Sequence, residues 1–205
     1  MRTRGRLLLV ATIVGLAVAG VGSLTQAQGV DAPVLLNDSA AALAPAERII
    51  LRKPPVPAGK LLFPVDPGDD CYILDNFGDG RDGETRLHDG VDIMGSAGRE
   101  VYAVASGTLT KRYTNTGTAG WGWILYDPAT KTTFRYFHLA EDARGLIEGA
   151  TVRAGDIIGF VGSSGTSSAT NIHLHFEVRP GNVAVDPLPL LFIDTKACRV
   201  SPPIR

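Results

Sequence analysis

Three textures of hydrophobicity follow one another along the chain. Residues 7–24 are an almost unbroken apolar run, preceded by Arg2, Arg4 and Arg6 and with no acidic residue among the first 27. A basic start, an apolar run and the small residues Thr25 and Ala27 form the pattern of an export signal with cleavage after Ala27. The run also reaches the lower bound for a membrane-spanning helix, so residues 1–27 predict either a signal peptide or a retained N-terminal membrane anchor. From Gln28 to Leu62 alanine and proline take over, and Pro33, Pro45, Pro54, Pro55 and Pro57 interrupt any long regular element. That stretch predicts a spacer, long enough at roughly 3 Å per residue to reach on the order of 100 Å from a membrane.

Beyond Phe63 apolar residues come in short runs of β type: Val101–Thr110, Trp123–Tyr126, Thr132–Leu139, Ile157–Val161 and His173–Val178. Turn residues such as Ser106-Gly107, Gly155-Asp156 and Gly162–Gly165 separate them, and no helical period of useful length intervenes. The expectation is a mainly β, antiparallel domain over residues 63–190, followed by a tail over 191–205. His173-Leu174-His175-Phe176-Glu177-Val178 alternates strictly, which puts both imidazoles and Glu177 on one face of a strand and Leu174, Phe176 and Val178 on the other.

Composition adds two exclusions and one constraint. Hydrophobic residues make up 44% and charged residues 20% of the chain, which fits a packed core rather than a solvated disordered chain. Lysine plus arginine (20) nearly balances aspartate plus glutamate (21), so no basic field draws in nucleic-acid phosphates. Cys71 and Cys198 are the two cysteines. In an exported protein they are expected to pair, tying the tail to the start of the domain and contributing roughly 4–5 kcal/mol through loop closure.

All four histidines, His88, His138, His173 and His175, fall in the predicted β domain. In His88-Asp89-Gly90-Val91-Asp92 an imidazole and a carboxylate flank a glycine; a straight strand would separate positions 88 and 92 by about 13 Å, so shared metal ligation needs a bend at Gly90. Imidazoles with one carboxylate and no cysteine suit zinc bound by three protein ligands with an open position, where bound water has its pKa lowered toward about 7. Spacing alone leaves open which of the four histidines bind metal.

The segment from Asn76 to Pro187 resembles the lysostaphin and LytM-like zinc endopeptidases of bacterial peptidoglycan. The residues that carry the resemblance are His88-x-Gly90-x-Asp92, the run Val101-Tyr-Ala-Val-Ala-Ser-Gly-Thr108, Tyr136-x-His138-Leu139, Gly149-x-x-Val152-x-x-Gly155-x-x-Ile158-Gly159-x-x-Gly162 and His173–Val178. The resemblance implies one zinc ion on His88, Asp92 and His175, with His138 and His173 as the catalytic pair, and a groove across one sheet. It further implies cutting of peptide stems or cross-bridges of peptidoglycan, and with the N-terminal signal pattern the expectation is an exported protein of the cell envelope or extracellular space, anchored in the membrane if that segment is retained. A non-catalytic wall-binding or hydrolase-activating module on the same fold is the alternative, although this chain carries all five site residues. A zinc peptidase acting on other glycine-rich proteins also fits the same residues.

Departures from the family pattern bear on substrate choice: Trp123 stands where asparagine is common, Phe137 is bulky, and Asn171-Ile172 replaces the usual Gly-Pro. Tyr113, Trp121 and Trp123 are candidate groove aromatics, with core packing as their alternative. Glu177 is a candidate to orient one histidine. Residues 162–168 read as a substrate-side or hairpin loop, and Asp75–Glu84 as a glycine-rich turn rather than a calcium loop, with Asn76–Gly83 placed where it could overlie the groove.

Overall fold

A computed structural model describes residues 56–194 and 197–202. The signal or anchor segment and most of the spacer lie outside the described residues. Among those described, no helix is long and apolar enough to cross a membrane.

The described domain is mainly β, as its short alternating runs predict. Its strands are β1 (Tyr72–Leu74), β2 (Gly80–Arg81), β3 (Arg86–Leu87), β4 (Val91–Met94), β5 (Glu100–Tyr102), β6 (Gly107–Thr116), β7 (Gly120–Asp127), β8 (Thr132–Asp142), β9 (Thr151–Val152), β10 (Ile157–Val161), β11 (His173–Pro180) and β12 (Arg199–Ser201). Ten of them form one sheet in the order β12-β1-β4-β11-β8-β7-β6-β9, with β10 bridging β8 and β5. Neighbours run antiparallel except the β1–β12 pair, and β2 with β3 makes a separate hairpin. The expected strand Val101–Thr110 is two strands. Its middle, Ala103–Ser106, turns away because the Ala103 amide is taken by the Asp156 carbonyl and the Val104 amide by the Tyr136 hydroxyl.

One face of the central strands is the core. Val91 and Ile93 of β4, Leu174, Phe176 and Val178 of β11, Phe134 and Tyr136 of β8, and Trp123 and Leu125 of β7 are all buried there. The opposite face of the same strands carries Asp92, then His173, His175 and Glu177, then Arg135 and Phe137, as period-2 geometry requires. Cys71 and Cys198 form a disulfide with Cα atoms 4.8 Å apart, fastening β12 alongside β1.

Strict alternation fails at His138, and the failure makes the site. Counting from Phe134 and Tyr136, residue 138 belongs on the core face. His138 instead adopts φ of +66°, and the pairing of β7 with β8 shifts register there, Trp121 facing Leu139 while Gly122 faces Phe137. The extra residue is a β-bulge: Leu139 takes the core position at full burial, and His138 turns to the face of His173 and His175. A histidine held in the left-handed region is a local strain of the kind found at functional sites.

Candidate metal centre

Three ligand atoms meet where β4 and β11 pair. Asp92 and His175 lie directly opposite each other in the ladder, and the chain before β4 bends at Gly90 to bring His88 back over them. Gly90 is required for this approach, since a Cβ there would overlap the Phe176 carbonyl. His88 Nε2 lies 2.8 Å from His175 Nδ1 and 3.2 Å from Asp92 Oδ1, and His175 Nδ1 lies 3.1 Å from the same oxygen. Ligands on a tetrahedron with bonds of about 2.0–2.1 Å stand about 3.3 Å apart, so this triangle has the size of one face of a zinc site.

The hydrogen bonds behind the ligands decide what the triangle can hold. His88 Nδ1 is 2.9 Å from the Asn76 carbonyl and His175 Nε2 is 3.2 Å from Glu177 Oε1, both groups that only accept. With a metal bound, each ring would keep its outward proton and offer the inner nitrogen as a lone pair, with Asp92 Oδ1 as the third ligand atom, a donor set that suits a cation. His138 and His173 follow the same rule, donating from Nδ1 to the carbonyls of Ser164 at 2.8 Å and Asn171 at 3.1 Å. Among the described residues neither Nε2 makes a hydrogen bond, and the His173 Nε2 stands 3.7 Å from Asp92 Oδ1. The His138 and His173 ring centroids are 4.6 Å apart.

Titration behaviour reflects this crowding. Burial pushes the Asp92 carboxyl up, but hydrogen bonds from His175 and His88 outweigh it and hold Asp92 well below the usual carboxylate range. Burial would lower His175; Asp92 and Glu177 on its two nitrogens overcome that and raise it. His138 is pushed down to about 4, mainly by burial and then by the neighbouring His173, and burial also lowers His173 against the pull of Asp92. In the protein without an ion, His138 and His173 are therefore neutral bases at neutral pH.

Supporting contacts extend one layer further. Asn76 donates from Nδ2 to Asp92 Oδ2 at 2.8 Å and accepts the Asp92 amide on Oδ1 at 3.3 Å, so one residue holds two of the three ligands. Glu177 also takes Arg179 at 2.8 Å, which reaches Asp89 at 3.1 Å, and Arg135 stands 3.5 Å away. Burial works against the Glu177 charge, but His175 and the two arginines keep its pKa low. Residues 162–168 do more than line a hairpin: the Ser164 hydroxyl bonds the Leu139 carbonyl at 2.6 Å and accepts the Trp121 amide at 2.8 Å, fixing the carbonyl that orients His138.

Among the described residues, the group of three or more potential ligands whose atoms come within 4.8 Å of one another is His88, Asp92 and His175. His138 and His173 are brought beside it. Trp123 is not a groove residue: it is fully buried, paired in register with Tyr136 and therefore on the core face. Trp121 packs against the core with Arg112 over its ring at 5.1 Å. Tyr113 does lie on the site row, edge-on to Phe137 at 4.9 Å, and Phe137 stacks on His175 at 5.9 Å. Asn76 and Arg81 escape sequence reading as site residues; a polar residue buried just after a short apolar strand was the available signal for Asn76.

An antiparallel sheet presenting a His/Asp/His corner beside two further imidazoles defines a metallopeptidase-type domain. Residues 86–187 match the model of Peptidase family M23, whose peptidases are zinc-dependent, and the folded domain belongs to that family in its lysostaphin and LytM-like form. The chain is 31% identical over 135 residues to the L-Ala–D-Glu endopeptidase of Bacillus subtilis, covering 60% of this chain and 39% of that protein. It is 33% identical over 120 residues to the murein hydrolase activator NlpD of Salmonella dublin, covering 58% and 29%. A LytM structure from Ruminococcus gnavus superposes with a TM-score of 0.55 at 27% identity, covering 68% of this chain and 62% of that one. The chain thus spans well under half the length of these two curated relatives.

Proposed function

We propose that this chain is a zinc-dependent endopeptidase that hydrolyses amide bonds in peptidoglycan peptides, acting in the cell envelope or outside the cell. The observation that carries the reading is the convergence of His88 Nε2, His175 Nδ1 and Asp92 Oδ1 within 3.2 Å of one another, with the His138 and His173 rings beside them. His88, Asp92 and His175 would hold the ion, which when bound supplies a Lewis acid for a carbonyl and acidifies water.

The chain's own residues do the rest. His138 and His173, neutral and with no hydrogen bond at Nε2 among the described residues, are placed to take a proton from the attacking water and return one to the departing amine. Whichever imidazole carries the proton also stabilises negative charge developing on the carbonyl oxygen. The carbonyls of Ser164 and Asn171 hold both rings in the required tautomer throughout. Phe137 and Tyr113 wall the site on the β8 side, where a bound peptide would lose water.

Similarity to a murein hydrolase activator supports a second reading, a module that binds the wall without cutting it. Digestion of purified peptidoglycan by the zinc-loaded chain, with and without chelator and followed by mass spectrometry, separates the two. Chelator-sensitive appearance of new amine and carboxyl ends in the peptide portion is expected. No release by zinc-loaded protein favours the activator, and new sugar reducing ends refute both amide hydrolysis and this assignment of roles. The His173→Ala variant is expected to keep zinc and lose hydrolysis, whereas His88→Ala loses both.

A further inference from the structure

Arg81 reaches the metal centre from outside the main sheet. It sits on β2 of the β2–β3 hairpin and donates from Nη2 to Asp92 Oδ2 at 3.1 Å, the oxygen facing away from the three-atom triangle. Its side chain stays 35% exposed, and among the described residues no second acceptor meets its Nη1 or Nε. The guanidinium is thus half used: one edge is fixed on a ligand, and its other donors meet no acceptor among the described residues. Asn76 already bonds the same Asp92 oxygen at 2.8 Å, so that oxygen has a partner without Arg81.

Local charge points the same way. A divalent ion on two neutral imidazoles and one carboxylate keeps a net charge of +1, and Arg81 raises it to +2. Glu177, on the far side of His175, is balanced by Arg179 and Arg135. Asp82 of the hairpin pairs with Arg86 instead of Arg81. An anionic group that reaches the free edge of Arg81 meets a fork of N–H donors beside a centre whose bound ion would leave a net positive charge, the geometry with which arginine binds a carboxylate.

We propose that Arg81 is a specificity-determining residue that binds a free carboxylate on the substrate residue flanking the scissile amide. The preferred substrates are then amides next to a carboxy-terminal residue, or amides linked through a side chain so that the α-carboxylate stays free, and not bridges of neutral residues. This rests on the peptidase reading above and narrows its substrate class.

The test uses the zinc-loaded full chain and two peptide pairs: a stem-like peptide as C-terminal acid or carboxamide, and a side-chain-linked peptide with its α-carboxylate free or amidated. The wild type is expected to favour the acid of at least one pair by about tenfold or more in kcat/KM, the worth of a charged hydrogen bond; which pair responds identifies the source of the carboxylate. Arg81→Gln should bring the acid-to-amide ratio close to one, and Arg81→Lys should restore part of it. Equilibrium binding to zinc-loaded His173→Ala, with and without Arg81→Gln, should show the same loss of preference without turnover. An unchanged ratio in Arg81→Gln overturns the proposal, as does zinc loss with equal damage on acid and amide, which would make Arg81 a support for Asp92. Failure of the wild type to cut any peptide or peptidoglycan refutes the peptidase reading instead, and the binding arm still judges Arg81.

Discussion

Exchanging Asn76 for aspartate would test how far the ligands depend on what stands behind them. The side chains are nearly isosteric, so packing is preserved, but the amide that donates to Asp92 Oδ2 at 2.8 Å becomes a carboxylate oxygen. Two acceptors then face each other at hydrogen-bond distance in a site where Asp92 is 8% exposed. A charge-assisted hydrogen bond is worth about 1.5–3 kcal/mol, and leaving the pair repulsive adds to its loss. Supporting contacts of this kind typically contribute 10- to 100-fold in metal affinity. Asn76→Asp should therefore weaken zinc binding by about 100-fold, and Asn76→Ala, which removes the donor without adding charge, by about tenfold. The Asn76 carbonyl that orients His88 is backbone and survives both changes. Competition titration against a chromophoric chelator measures the affinities, with circular dichroism to confirm folding. Equal zinc affinity in wild type and Asn76→Asp would refute the reasoning, because it would mean that Asp92 needs no outer partner to hold its orientation.

Three further outcomes follow from the same geometry. His175, raised by Asp92 and Glu177, should lose a proton when zinc enters, so binding should release protons near neutral pH and weaken as pH falls through the raised His175 value; calorimetry in buffers of different ionisation enthalpy measures this. His138 falls from 6.5 unfolded to about 4 folded, so between those values the unfolded chain binds the extra proton, and metal-free protein should lose about 3 kcal/mol as pH drops from about 6.5 to 4. Urea denaturation against pH should show that slope in the wild type and a shallower one in His138→Gln. In Gly122→Ala, a new Cβ would overlap the Tyr136 carbonyl and stand 2.7 Å from the Phe137 ring, which should cost about 1–3 kcal/mol and loosen the stacking of Phe137 on His175, read by denaturation and near-UV circular dichroism.

Much of this arrangement is legible in the sequence because strands have a period of two. His173, His175 and Glu177 share a face, and Leu174, Phe176 and Val178 share the other, as their order dictates. The bend at Gly90 is legible too, since only a bend lets residues 88 and 92 meet. His138 is different. Period counting puts it in the core with Tyr136, and only a bulge at a non-glycine residue, fixed by Ser164 from a distant loop, turns it to the site. Trp123 shows the converse: its face follows from register against Tyr136, and register is set by the sheet as a whole. Asn76 and Arg81 depend on the pairing of Leu74 with Asp92 and on where a separate hairpin folds, neither of which a local pattern encodes.

The disulfide has a bearing beyond stability. Its two sulfurs lie 127 positions apart, and His88, Asp92, His138, His173 and His175 all fall between them. The whole reacting constellation is thus drawn inside one covalent ring. A single nick in any connecting loop of that ring, whether by a foreign protease or by a second copy of this chain, opens the circle into a line without letting either piece diffuse away. Reduction and nicking must coincide before the fragments part.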